Sequence, residues 1–256
     1  MTGQQSAGQQ DGAKGAFGDV GVMDSAAERL DLIRSRIEKA RQRFGPPPER
    51  VELIAVSKTF DATAIRPFLD AGQRVFGENR VQELAAKREQ LPGDISWHLI
   101  GHLQSNKVKP AVASAAMIES VDTVRLLRLI DAEALTQERN IDCLLQVHIA
   151  SEESKSGFSL TEMKATNWGE VASSLRAARI CGVMGMATFT DDREKVRSEF
   201  RTLADLFRQL REGYFSHDSH FREISMGMTG DWQVAVEEGS TMIRVGTLIF
   251  GERIKK

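Results

Sequence analysis

The sequence predicts an α/β protein built as a single (β/α)8 barrel, eight parallel strands each followed by a helix, and three observations predict it. From residue 51 to the end, apolar strand-like runs alternate with amphipathic helical stretches. Strand, helix, strand, helix implies parallel pairing with right-handed crossovers. Eight strand candidates fall within about 200 residues, near the about 250 that such a barrel takes. Finally, polar and glycine residues with a functional look sit at the carboxyl ends of several different strands: Lys58, Gly77-Glu78-Asn79, His98, Gly185, Ser225 and Gly246-Thr247. A barrel brings all those ends to one face, whereas an open doubly wound sheet, the alternative, focuses on one crevice. The chain carries no visible internal repeat, long linker or second domain.

Taken in order, residues 1–22 are rich in Gly, Gln and Ala and lack an apolar core behind a basic end, so they do not read as a secretory signal. They are too poor in large side chains to offset their ordering entropy. Residues 1–23 are therefore expected to form a disordered tail and 24–256 the barrel domain. Ser25-Ala26-Ala27-Glu28 is a capping box, and Leu30, Ile33 and Ile37 follow it at helical spacing. Gly45-Pro46-Pro47-Pro48 should stop that first helix. The strand candidates lie around 53–57, 74–77, 97–101, 117–121, 143–149, 180–186, 223–227 and 242–246. Helical stretches such as 124–139 and 193–211, apolar every three or four positions, run between them.

Bulk properties exclude several classes. The net charge of the 256 residues is −2 and the isoelectric point about 6.3, so no basic surface advertises nucleic acid or anionic lipid. No apolar stretch reaches the about 18 residues that span a bilayer. Cys143 and Cys181 both lie in apolar strand-like segments, which fits core thiols in a reduced cytoplasmic protein.

Lys58 ends the apolar run Val51-Glu52-Leu53-Ile54-Ala55-Val56, which reads as a buried parallel strand. Half inside an apolar wall, its ammonium form is disfavoured, leaving a nucleophilic amine able to condense with a carbonyl. A strand-end lysine snorkelling to water is the plainer alternative. At the far end of the chain, Gly246 and Thr247 close the last strand and open a short helix, a ready place for a phosphate. The preceding strand ends Ser225-Met226-Gly227-Met228-Thr229-Gly230, offering a hydroxyl donor and flexible backbone beside it. Arg244 lies inside an apolar strand two residues before Gly246, so it needs a partner, either a core acid or a ligand atom.

These residues stand in stretches that resemble a known family. Ala55-Val56-Ser57-Lys58-Thr59, the segment from Phe76 through Glu83, the segment from Trp97 through Lys107, Ser154-Lys155-Ser156-Gly157-Phe158, and the segment from Ser225 through Gly251 are similar to the pyridoxal phosphate homeostasis proteins. The resemblance covers roughly residues 25 to 254 with the motifs in order. It implies a single barrel like the amino-terminal domain of alanine racemase, with pyridoxal 5′-phosphate held as an imine on Lys58. By the same resemblance Ser225, Gly246 and Thr247 would bind the phosphate, Arg244 would face the pyridine nitrogen, and Asn79 would lie near the phenolic oxygen. His102, where many relatives have proline, and the strand-six exit Met184-Gly185-Met186-Ala187-Thr188 are departures expected to lie clear of those groups.

Arginine opposite a pyridine nitrogen cannot take up the proton that a carboxylate would secure there, so the electron sink is weakened. Racemases of similar fold add a second base, a tyrosine from another domain. Here the one tyrosine, Tyr214, is expected near the end of a peripheral helix. The resemblance therefore implies a cytoplasmic, monomeric cofactor carrier without efficient turnover, which buffers pyridoxal phosphate or delivers it through transient contact with apoenzymes. A racemase-like or transaminase-like enzyme, or a cofactor-free phosphosugar barrel, are the competing readings. His98 and His102 have i,i+4 spacing but flank Leu-Ile-Gly at a strand exit, a poor zinc site. His217 and His220 are expected to be solvated. Lys155, beside Glu152-Glu153, is expected to be an ordinary exposed lysine.

Overall fold

A computed structural model describes residues 25–43, 48–152 and 156–251. Eight strands, β1 (Glu52–Val56), β2 (Val75–Glu78), β3 (Ser96–Leu99), β4 (Met117–Val121), β5 (Ile141–Val147), β6 (Ala178–Gly185), β7 (Glu223–Met228) and β8 (Met242–Val245), form a closed barrel in sequence order. Each pairs in parallel with the next, and β8 closes on β1 through Ile54 opposite Arg244. The helices are α1 (Ala26–Arg41), α2 (Ala62–Asp70), α3 (Val81–Gln90), α4 (Val108–Ser114) and α5 (Val124–Thr136). They continue with α6 (Leu160–Ala165), α7 (Trp168–Ser174), α8 (Arg193–Gly213), α9 (Trp232–Glu237) and α10 (Thr247–Phe250). The barrel is thus the one expected, with its amino-terminal helix and, among the described residues, no second domain.

The capping box at Ser25 forms as read: Glu28 N–H donates to Ser25 Oγ, and Ser25 N–H donates to the Glu28 carboxylate. Leu30, Ile33 and Ile37 turn one face of α1 onto α2, α9 and α10. Residues 1–24, the Gly45-Pro46-Pro47 stop and Lys155 lie outside the described residues.

Strand parity divides the core. Leu53, Ala55, Phe76, Trp97, Ile118, Leu145 and Ile243 belong to the large cluster between barrel and helices, whereas Ile54, Met117, Leu144, Cys181, Met184 and Met242 form a separate cluster. Alternate residues of a strand face opposite sides, so the second set fills the inside of the barrel, which is packed and not a pore. Cys143 belongs to the outer set and Cys181 to the inner. Both are buried free thiols whose pKa burial pushes up, to about 12 for Cys181.

Candidate cofactor site

At the carboxyl ends of the strands a cleft of about 680 Å³ opens. Its wall brings together Lys58, Asn79, Arg244, Gly246 and Thr247, five positions from the ends of three strands, β1, β2 and β8. On β1 the inward parity runs Ile54, Val56, Lys58, so the lysine continues the row that lines the barrel interior and emerges half-buried at its mouth. Asn79 is the inward residue after Glu78 on β2. Gly101 at the β3 exit allows this placement, since a Cβ there would stand 2.2 Å from the Asn79 carbonyl oxygen.

Behind the lysine, outward-facing groups hold the end of β1. Ser57 Oγ donates to Glu78 at 2.7 Å, and the buried Lys87 Nζ donates to the Ser57 carbonyl at 2.8 Å and to Glu78. Burial pushes the Glu78 carboxyl up in pKa, against the hydrogen bonds from Lys87 and Ser57. Phe60 N–H donates to Ser57 C=O at 3.1 Å, closing a turn with Lys58 at its second position.

Arg244 has both kinds of surroundings that its burial demanded: a core acid and a place on the cleft wall. Its Nη1 donates to Ser225 Oγ at 2.5 Å and its Nη2 to the Gly185 carbonyl at 2.9 Å. Ser225 Oγ donates onward to Glu119 Oε2 at 2.6 Å, Glu119 Oε1 lies 2.7 Å from His98 Nδ1, and Glu119 is 3.8 Å from the guanidinium. The four side chains, all buried, make a polar layer across the barrel beneath the cleft. Burial alone would raise the Glu119 pKa, but His98, the Arg244 charge and Ser225 outweigh it and the carboxyl ends lower than usual. Arg244 is lowered by burial, against the charges of Glu119 and Asp231.

Ser225 is therefore not where the sequence placed it. Its hydroxyl is committed to Glu119 and Arg244 and it is absent from the cleft wall, which β7 reaches instead through Met228, Thr229, Gly230 and Asp231. The register of β7 with β8 shifts between Ser225 and Met228, and Gly227 takes φ +93°, a bulge that sets one extra residue of β7 between the serine and the mouth. Both departures from the family pattern come closer than expected: His102, Met186 and Thr188 line the same cleft as Lys58. His102 Nδ1 lies 3.1 Å from Asp122 Oδ2, so His98 and His102 serve two separate carboxylates. Tyr214 caps the end of α8 and is not on the cleft wall. Glu119 is the residue that sequence reading missed. A lone acid within Met117-Ile118-Glu119-Ser120-Val121 carried the same signal as Arg244, a charge in an apolar strand that needs a partner.

This fold and this cleft define a class. Residues 29–254 match the family described as "Alanine racemase, N-terminal domain". Within that class, the pyridoxal phosphate homeostasis protein of Aquifex aeolicus is 38% identical over 230 residues, covering 90% of this chain and 99% of its own. The protein of the same name from Escherichia coli strain K12 is 34% identical over 235 residues, covering 90% and 98%. The chain belongs to the pyridoxal phosphate homeostasis protein family. Among solved structures, PipY of Synechococcus elongatus superposes with a TM-score of 0.78 without PLP and 0.75 with PLP bound, at 37% identity over 89% of this chain and 100% of that one. D-threonine aldolase from Filomicrobium marinum, at 12% identity and a TM-score of 0.68 over 88% of this chain and 60% of that one, shares the fold.

Proposed function

We propose that this protein binds pyridoxal 5′-phosphate in the cleft, anchored on Lys58, and contributes to its homeostasis by holding and releasing it. One observation carries the reading: Lys58, Asn79, Arg244, Gly246 and Thr247 share one wall, in a chain 37% identical to a protein solved with PLP bound. The donor set fits the group. Lys58 offers an amine for the aldehyde, and Arg244 offers N–H donors to a ring nitrogen. Gly246, where a Cβ would sit 3.1 Å from the Val56 carbonyl, lets backbone N–H groups approach a phosphate. Thr229 joins Thr247 as a hydroxyl beside that phosphate, the place first given to Ser225.

When bound, the cofactor supplies an aldehyde and an electron-accepting ring. The chain's own groups weaken the second property. Arg244 is held from beneath by Ser225 and the Gly185 carbonyl, and a guanidinium does not accept a proton. A carrier with little or no turnover follows. The names borne by the relatives, homeostasis proteins and not enzymes, support the same reading.

Purified protein should absorb near ~420 nm, as a protonated pyridoxal–lysine adduct does, and Lys58→Ala should lose the band. Borohydride reduction followed by peptide mass analysis should place a pyridoxyl group on Lys58. A wild-type protein that takes up no added cofactor, or a label found on another lysine, would overturn the proposal. α-Hydrogen exchange of alanine well above the rate with free cofactor would favour the enzymatic reading.

A further inference from the structure

The residue after Lys58 is strained. Thr59 adopts φ +71°, and a β-branched side chain at positive φ is an outlier. It occupies the third position of the turn that Phe60 N–H closes onto Ser57 C=O, where a positive φ ordinarily calls for glycine or asparagine. Something must hold it, and the contact is present. Thr59 N–H donates to Glu83 Oε2 at 3.2 Å. Glu83 stands in the first turn of α3, and its other oxygen lies 3.6 Å from the Arg80 guanidinium. Lys58 is the residue between this contact and Ser57, which Glu78 and Lys87 fix.

We propose that Glu83 is a positioning residue: by accepting the Thr59 N–H it stabilises the left-handed turn that aims the Lys58 amine into the cleft. The inference rests on Lys58 being the cofactor's anchor. The carboxylate acts through one backbone bond, from Thr59 N–H. Releasing the bond lets Thr59 relax toward negative φ, which rotates the peptide planes flanking Lys58 and moves its Cβ off the line set by Ile54 and Val56.

The test uses the full chain and two readouts. In spectrophotometric titrations with pyridoxal 5′-phosphate, Glu83→Ala should weaken apparent affinity on the order of tenfold, the scale of one charge-assisted hydrogen bond. Glu83→Gln, which keeps an acceptor oxygen, should recover most of it. Thr59→Gly placed in the Glu83→Ala background should also recover it, because glycine holds positive φ without help. A merely structural role for Glu83 gives no reason for that rescue. In the cofactor-free protein, hydrogen exchange at the Thr59 amide should be slow in wild type and Glu83→Gln and fast in Glu83→Ala. Wild-type affinity in Glu83→Ala, failure of Thr59→Gly to rescue, or unchanged Thr59 exchange would each overturn the proposal. Loss of the band in wild type itself, with the exchange pattern intact, would instead count against the anchor role of Lys58.

Discussion

A charge inside a barrel must be answered by its neighbours, and at the scale of single residues the Arg244–Ser225–Glu119–His98 layer shows how. Removing one member leaves the others buried without partners. Glu119→Ala should destabilise the protein by about 3–5 kcal/mol, read from denaturant midpoints. Glu119 has a lowered folded pKa, so its stabilisation is present above the ordinary value of 4.5 and is lost as pH falls through the lower folded one. Acid titration of wild type against Glu119→Gln should show that part of the pH dependence vanish. Gly101→Ala should act at a distance of one strand: its Cβ would press on the Asn79 carbonyl, shifting Asn79 on the cleft wall at a cost of about 1–3 kcal/mol. Lys58 and Arg244 were legible because each breaks an apolar run. The depth of Ser225 was not, since alternation along a strand gives the side a residue faces but not its height in the barrel, and the bulge beyond it shows in the sequence only as Gly227 within the strand.

Elements were legible where periodicity was long and blurred where polar residues serve strand starts. β5 and β6 begin earlier than read, at Ile141 and Ala178, because Asp142 and Arg179 look like loop yet pair side by side, with Arg179 Nε donating to Asp142 at 2.8 Å. The start of β6 has a further device. Asp131 of α5 accepts the N–H groups of Arg176, Ala177 and Ala178 on one oxygen. Burial works against this carboxylate, but the three donors hold its pKa below the usual value. Asp131→Ala should cost about 1–3 kcal/mol, and the difference from wild type should fade as pH drops through the folded pKa of Asp131, below 3.8. Thermal melts of the two proteins across that range would check it. α8 is tied to α9 by Arg197, which donates to both Glu237 and Glu238. This charge network ties α8, legible in sequence only as an amphipathic stretch, to an element outside the helical stretches read there.

For the whole molecule, the barrel was foreseeable because functional-looking residues sat at many strand ends, and closure is what collects them: five of six chosen positions share one cleft. The polar layer beneath it was not foreseeable as a unit, since its members come from β3, β4, β7 and β8 and only the closed barrel makes them neighbours. Phe189 stands on the cleft rim with 97% of its surface open to water, while Trp97, Trp168 and Trp232 are all buried. A Phe189→Trp protein would thus carry a single solvated indole at the mouth, red-shifted from the other three. Its emission would follow, in real time, the entry and exit of any ligand that quenches it.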